Sequence, residues 1–352
     1  MRNQTVDVAR GIGILLVVLG HNWLIAHDHA SLAFRMVFSF HMPLFFFLSG
    51  LFLGSREGIS RGFLLRRADA LLKPFFVVLG VWGLGRILLQ HLLWQPYLLG
   101  MLYATGFTID WTPLWFLPHL FLCMTLLVAW MGLTQALPHR QMIWWATLPI
   151  LLSAGWYMVR HIGVWGADWH PAFLAGLPFY DAAMFPGLPW SADLLGVSAA
   201  FVLAASLLRD QVLRMRFHAG WLCASLLVFG GLHWAFSESL DLHMRQAGAW
   251  YVVIPEALAG IVMTLQLAAL LASFATPARW LAYLGKYSLI LLLFHSWFEW
   301  KAFRSLSAHG WQDASAALVA LLAGVLCPLL VVWLSLRIRL LGRLLLPLSL
   351  QK

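Results

Sequence analysis

Long apolar stretches separated by short polar or Pro- and Gly-containing breaks run along the whole chain. A helix that crosses a bilayer needs about 20 apolar residues, and ten stretches meet that need. They are Val6–Ile25, Phe34–Leu53, Leu71–Leu93, Pro113–Leu133, Met142–Met158, Ala192–Leu208, Gly220–Phe236, Tyr251–Phe274, Leu284–Trp300 and Ser315–Leu336. Between the fifth and the sixth, the Pro- and aromatic-rich segment Arg160–Ser191 predicts an ordered loop or a re-entrant cap. The pattern predicts an all-α polytopic integral membrane protein with about ten transmembrane helices.

The composition excludes a soluble protein. Hydrophobic residues make up 62% of the 352 residues and charged residues 11%, whereas soluble domains have about 45–50% and about 25%. So few charges cannot cover a water-facing surface, and the same figures exclude a disordered chain, a collagen and a disulfide scaffold. We therefore expect one transmembrane domain over residues 1–352. The three cysteines lie in apolar stretches without a CxxC pair, so we interpret them as packing residues and expect no metal.

The distribution of Lys and Arg predicts the orientation. With a cytoplasmic N-terminus, the cytoplasmic segments carry 17 of these residues and the external segments carry 5. This asymmetry follows the positive-inside rule and predicts that both termini are cytoplasmic. Most of the formal charge of +9 is thus explained by topology, and nucleic acid is not an expected partner. The first span contains Gly20-His21-Asn22-Trp23 near its end, which is no cleavage site for a signal peptidase, so we expect the span to stay in the mature protein.

The first span carries three ionisable residues, Asp7, Arg10 and His21. Arg10 and His21 are eleven residues apart, which is three helical turns plus about 20°, so they share a face and lie about 16 Å apart along the axis. Asp7 precedes Arg10 by three residues and can pair with it. Ionisable groups inside a bilayer usually face a cavity or a partner. The alternative is that Asp7 and Arg10 form an interfacial anchor and that His21 is a structural histidine.

Other polar residues are predicted at a depth similar to that of His21, near the outer ends of their spans. They are His41, Trp115, His119, His233, Glu256, His295 and Glu299. Six spans thus place His or Glu in one layer, which suggests a polar cavity that opens toward the outer half of the membrane. The alternative is a set of interfacial histidines beside the aromatic belt, which fits His233 and His119 better than Glu256.

A basic cluster precedes the third span at its cytoplasmic end. Arg61, Arg66, Arg67 and Lys73 are followed by Pro74. Arginine binds phosphate through two parallel hydrogen bonds, so the cluster suits a multiply phosphorylated ligand, although positive-inside patterning alone also explains it. Arg10 is predicted at the same depth. Coenzyme A fits this layout, because its pantetheine arm of roughly 15–20 Å separates the phosphates from the thioester.

Four segments resemble membrane-bound acyltransferase family 3. Arg10 and His21 match its Arg and His with ten residues between them, and Leu114-Trp115-Phe116-Leu117 resembles its Trp-Phe-Leu motif. The segment from Phe40 to Gly50, and Leu284–Leu289 followed by His295, resemble its second-span and late motifs. The closest branch contains sugar O-acetylases similar to fucose 4-O-acetylase and exopolysaccharide acetyltransferases. Many members carry Arg-x-Arg before the third span, whereas Arg66 and Arg67 are adjacent here.

The resemblance implies transfer of an acetyl group from acetyl-CoA to a carbohydrate hydroxyl in the bacterial cytoplasmic membrane. His21 would be the general base, because a neutral imidazole can take the proton of a weakly nucleophilic hydroxyl. The acetyl donor would be bound by Arg10, Arg66, Arg67 and Lys73. The acetyl acceptor would be bound by His41, Trp115, His119 and Glu299. The further catalytic candidates are Arg10, Asp7, His295 and Glu256. Trp115, His41 or His295 could donate to the oxyanion, and Glu256 or Glu299 could fix the imidazole tautomer.

Expected partners are a lipid-linked oligosaccharide or polysaccharide, membrane lipid and a glycan-assembly complex. Two other classes of protein remain open on the sequence alone. Intramembrane His and Glu are also typical of a proton-coupled transporter. A non-catalytic subunit of a polysaccharide synthesis complex would retain the fold without turnover.

Overall fold

The computed structural model describes residues 3–53, 59–166 and 168–350, and it is almost entirely helical. The first nine helices are α1 (Gln4–His21), α2 (Trp23–Ala26), α3 (Leu32–Phe38), α4 (His41–Gly50), α5 (Arg61–Arg67), α6 (Lys73–Gln90), α7 (Trp94–Tyr103), α8 (Phe116–Thr134) and α9 (Arg140–Trp165). The others are α10 (Leu195–Leu207), α11 (Arg209–Leu213), α12 (Ala219–Ala235), α13 (Trp250–Leu271), α14 (Ala275–Lys286), α15 (Ser288–Ala308), α16 (Asp313–Arg337) and α17 (Arg339–Leu345). A two-stranded hairpin, β1 (Leu240–Asp241) and β2 (Gln246–Ala247), lies between α12 and α13.

The predicted fold class is confirmed. Among the described residues, eight helical segments are long and apolar enough to cross a membrane, and the bent pair α14–α15 makes up to nine. The predicted seventh span corresponds to α12, an apolar helix of 17 residues that falls just short of the same length. The segment Arg160–Ser191 contains the end of α9 and then irregular chain with two short 3₁₀ turns, Ala172–Gly176 and Pro189–Leu194.

The orientation stays a prediction. Three of the basic residues that support it, Arg2, Arg56 and Lys352, lie outside the described residues, as does Ser55. Reporters fused after Ser55 and after Arg214 should report cytoplasm, and reporters fused near Asp110 and Ser239 should report the outside. Paired alkaline phosphatase and green fluorescent protein fusions measure this. An external Ser55 would contradict the common depth of the polar residues.

The chain divides into two compact units. The first consists of Met1–Phe52 and Ala204–Trp333, and the second of Leu53–Leu203 and Leu334–Lys352. Each unit thus combines two stretches that are distant in sequence.

Helix α1 is central to the first unit, where it packs against α14, α13, α15 and α4. Two glycines allow the contact with α14. A Cβ at Gly11 would meet the backbone of Leu281, and a Cβ at Gly285 would meet the backbone carbonyl of Asp7. Backbone cannot yield as a flexible side chain can, so these glycines set the close approach of the two helices.

Gly11→Val should therefore destabilise the protein strongly. Overpacking a tight contact typically costs about 1–3 kcal/mol, and here the clash is with backbone atoms. The thermal unfolding midpoint of the detergent-solubilised protein should fall, and less folded protein should be recovered. Gly231→Ala is the control, because a Cβ there meets nothing within 4 Å. Equal midpoints for the two variants would contradict this packing.

The structure corrects several predicted helix bounds. The fifth span continues past Met158 to Trp165, and the ninth continues past Trp300 to Ala308. The first span does not continue to Ile25, because α1 ends at His21 and Asn22 has extended backbone angles. The Asn22 side chain caps α2 through the Leu24 N–H. The ninth span does not begin at Leu284, since α14 ends at Lys286 and meets α15 at an angle of 80°. The hydropathy pattern does not reveal either break, because apolar residues continue on both sides of each one.

In the second unit, α5 continues through a π-helical turn, Ala68–Leu72, into α6. Tyr97 of α7 lies against Gly83 of α6 and donates its hydroxyl to Leu79 O at 2.9 Å. In the loop after α7, Asp110 pairs with Arg86. Burial raises the pKa of Asp110, and the Arg86 guanidinium opposes that shift.

Candidate functional site

His21 is the last residue of α1, directly before the helix breaks. Its Nδ1–H donates to Val17 O, one turn back, at 2.9 Å. This bond fixes the neutral tautomer in which Nε2 carries the lone pair, as a general base requires. The sequence suggests Glu256 or Glu299 for this role, whereas in the structure a backbone carbonyl holds the tautomer.

Two of the other candidate histidines lie close to His21. The ring of His295 on α15 stands edge-on to that of His21, with 5.2 Å between the ring centroids. The ring of Phe38 contacts both His21 and His41, at centroid distances of 6.5 and 4.8 Å. His295 and His41 repeat the geometry of His21, since each Nδ1–H donates to the carbonyl four residues earlier at 2.9 Å. In all three rings Nε2 is thus the nitrogen that can accept a proton.

A cavity of about 570 Å³ begins at His21. Its wall includes Asn22 and Trp23 after the break, and Glu299, Trp300 and Phe303 of α15. Glu299 is 4% exposed, and neither of its carboxylate oxygens has a hydrogen-bond partner in the part of the chain that the structure describes. The volume lies within the range of about 300–1,000 Å³ that is typical of ligand pockets.

The β1–β2 hairpin adds a further histidine near this group. Burial lowers the pKa of His243 to about 3, with smaller contributions from Arg245 and His21. The turn is held by Asp241, whose carboxylate accepts from Met244 N–H at 3.0 Å. His243 is therefore neutral at physiological pH. The sequence analysis did not identify this residue, since it lies in a polar connection between two spans.

Glu256 belongs to a different cluster of the first unit. It is fully buried, and its Oε1 lies 3.6 Å from Nδ1 of His233, which donates to Phe229 O at 2.9 Å. Arg35 lies nearby and donates to Phe236 O at 3.1 Å. Neither Glu256 nor His233 lines the cavity beside His21. The predicted layer of His and Glu is thus divided into separate groups.

Arg10 and Asp7 lie toward the other end of α1. The Arg10 guanidinium lies over the ring of Phe52, 4.7 Å from its centroid. Asp7 is buried, and Gly285 of α14 lies against its backbone carbonyl. Because α1 is continuous from Gln4 to His21, Arg10 and His21 keep the common face and the separation of about 16 Å that the sequence predicts.

The remaining candidates belong to the second unit. His119 is fully buried; its Nδ1–H donates to Trp190 O at 3.1 Å, and its Nε2 accepts from the Ser198 hydroxyl at 2.8 Å. The fold thus uses both ring nitrogens. The Trp115 ring is buried beside His119, with 5.5 Å between the centroids.

The basic cluster is divided between two environments. Arg66 is exposed, and the Arg67 guanidinium lies 5.5 Å from the centroid of Phe63. Lys73 forms an ion pair with Asp69 at 2.7 Å and donates to Leu346 O at 2.8 Å. Lys73 therefore fastens the C-terminal segment to α6, and the two arginines remain the stronger candidates for phosphate binding.

The group around His21 can accept a proton beside a chamber large enough for a small ligand. Of the residues in this group, the sequence predicts His21, His295 and Glu299 but not Asn22, Trp23 or Trp300. The helix break that places these residues could have been recognised from the Asn directly after His21, since Asn often caps a new helix. Across residues 3–53, 59–166 and 168–350, no three His, Cys, Asp or Glu residues lie together so that they could hold a metal ion.

The comparison with protein families agrees with this picture. Residues 3–337 match the model of acyltransferase family 3, described as an acyltransferase domain. No curated protein and no solved structure matches the chain. The match covers both units and includes the residues of α1, α15 and the basic cluster. This chain, a multi-pass membrane acyltransferase, belongs to membrane-bound acyltransferase family 3.

Proposed function

We propose that the protein transfers an acetyl group from acetyl-CoA to a hydroxyl of a cell-surface or lipid-linked carbohydrate in the bacterial cytoplasmic membrane, with His21 as general base. The observation that carries the proposal is the environment of His21. Its tautomer leaves Nε2 able to accept a proton, and its ring lines a cavity of about 570 Å³. Arg10, on the same helix face about 16 Å away, suits the phosphates of the donor.

The reaction follows from this arrangement. The acceptor hydroxyl donates its proton to His21 Nε2 while its oxygen attacks the thioester carbonyl, so that a C–O bond forms. The tetrahedral intermediate collapses, the C–S bond breaks, and the CoA sulfur takes the proton from the imidazolium. The products are the acetyl ester and CoA thiol, and His21 is neutral again.

A hydrogen-bond donor must stabilise the oxyanion of the intermediate. Neutral His41 and His295 use Nδ1–H for a backbone carbonyl, so Nε2 has no proton to donate. For Trp115 this role stays a prediction from the sequence alone. Arg66 and Arg67 are further candidates for binding acetyl-CoA. The acceptor of the acetyl group is a lipid-linked oligosaccharide or polysaccharide. We expect the protein to act together with a glycan-assembly complex.

The test measures ester-linked acetyl groups on surface glycans of cells with and without the gene. Loss of these groups on deletion, and their return on complementation, would support the proposal. Purified protein should also release CoA thiol from acetyl-CoA in an acceptor-dependent way. Unchanged glycan acetylation in the deletion strain would contradict the proposal that the acceptor is a carbohydrate. The protein would then transfer its acyl group to a different class of acceptor.

A further inference from the structure

The wall of the cavity beside His21 presents hydrogen-bond acceptors. Glu299 contributes two carboxyl oxygens that can accept hydrogen bonds. Both oxygens are buried and have no hydrogen-bond partner among the residues described. Gly324 of α16 makes room for this side chain, because a Cβ there would meet the Glu299 carboxyl group. His21 adds its Nε2 lone pair to the same cavity.

The Asn22 amide meets at most part of this need. It interacts with Glu299, but one of its two Nδ2–H groups donates to Ala317 O at 3.0 Å and its Oδ1 accepts from Leu24 N–H at 3.1 Å, so at most one N–H remains for the two Glu299 oxygens. Two turns after Glu299 on α15, the buried Ser307 hydroxyl also lines the cavity. It has no hydrogen-bond partner within the described ranges. Buried polar groups are normally hydrogen-bonded, so these groups point to a ligand.

The remaining wall combines three large aromatic rings with the polar side chains of His27, Ser296 and Arg304. Trp300 and Phe303 of α15 and Trp23 of α2 line it, and the rings of Trp23 and Phe303 stack with 5.7 Å between their centroids. Apolar walls with a few placed polar groups are typical of small-molecule sites. Flat rings suit the C–H faces of a sugar ring, and the acceptors suit its hydroxyl groups.

We infer that this cavity is the acceptor subsite: it binds a sugar with adjacent hydroxyl groups, two of which donate to Glu299 while the reacting hydroxyl donates to His21. The inference rests on the proposed function and deepens it. At neutral pH the phosphates of the donor accept hydrogen bonds and do not donate them, so the hydroxyl groups of a carbohydrate are the chemistry that matches the Glu299 oxygens.

Glu299→Gln tests this subsite, because it keeps the size of the side chain and replaces one accepting oxygen by an amide nitrogen that donates. Isolated membranes that carry the native surface glycan are given acetyl-CoA labelled with ¹³C in the acetyl group. We expect transfer at limiting acceptor to fall about 10- to 100-fold, as when a buried polar group loses its hydrogen-bond partner, while the KM for acetyl-CoA stays within twofold. Glu299→Asp should recover part of the rate.

Asp313→Asn is the matched control, since it makes the same change from carboxyl to amide at an exposed position at the start of α16. It should transfer at the wild-type rate. Ser296→Phe is a second variant, which fills the cavity from α15 and should abolish transfer while binding of acetyl-CoA persists.

The outcomes separate the two proposals. If deleting the gene leaves glycan acetylation unchanged, the proposed function fails. If acetylation needs the gene but Glu299→Gln and Ser296→Phe both transfer normally, the acceptor subsite is overturned. A raised KM for acetyl-CoA in Glu299→Gln, with normal dependence on acceptor, would overturn it too, because the cavity would then bind the donor.

Discussion

His21→Ala should lower acetyl transfer by about 10²–10⁴-fold, the usual contribution of a general base, with binding of acetyl-CoA largely kept. Binding should persist because Arg10, three turns away on α1, is untouched. CoA thiol release and acetyl incorporation by purified protein measure the rate, and isothermal titration calorimetry measures the affinity.

His233→Ala is the matched control for this prediction. His233 is also a buried histidine whose Nδ1–H donates to the carbonyl four residues earlier at 2.9 Å, but it does not line the cavity. Its loss should cost less than tenfold once the amount of folded protein is equalised. Near-normal turnover by His21→Ala would contradict the assignment and move the base to His295.

Intact-mass measurement of the purified wild-type protein distinguishes the two possible roles of His21, general base and nucleophile. If His21 acts as a base, no acetyl-enzyme forms when acetyl-CoA is added without acceptor. If it acts as a nucleophile, the intact mass rises by one acetyl group, which hydroxylamine releases.

The double variant Arg66→Ala/Arg67→Ala should weaken binding of acetyl-CoA by about 10- to 150-fold. Charge-assisted hydrogen bonds contribute about 1.5–3 kcal/mol, and 1.4 kcal/mol is a factor of ten in affinity. Arg10→Ala should weaken binding in the same direction. Affinity of the wild-type protein should also fall as salt is added, because ions screen exposed charges.

Arg339→Ala/Arg343→Ala is the control for charge alone. Both residues are exposed on α17, so the variant loses the same two charges from another basic helix. Its affinity for acetyl-CoA should match that of the wild type. Equal weakening by both double variants would mean that only the net charge matters, and that Arg66 and Arg67 make no specific contact with phosphate.

Most of the fold could be predicted, because the apolar stretches alone define where helices can cross a bilayer. The break at Asn22 could not, since its side chain is held by Ala317, which lies 295 residues away in the sequence. The bend at Tyr287 escaped prediction for a similar reason: α14 ends where it packs against α1, and that contact depends on Gly11 and Gly285 together.

The candidate site was predictable in part. The spacing of Arg10 and His21 along one helix face required only helical geometry. The meeting of His21 with His295 depends on how α1 and α15 pack, which a single sequence does not show. The separation of Glu256 from this group has the same origin, because depth in the membrane says nothing about the direction in which a side chain points.

The division of the first unit into two distant stretches has a consequence for biosynthesis. Helix α1 leaves the ribosome first, yet its main neighbour α14 begins 254 residues after His21. At about 5–20 residues per second, synthesis of that interval takes roughly 13–50 s. Throughout that time α1 lacks α13, α14 and α15, which finally pack against it. The cell therefore completes the surroundings of His21 only when nearly the whole chain has been made.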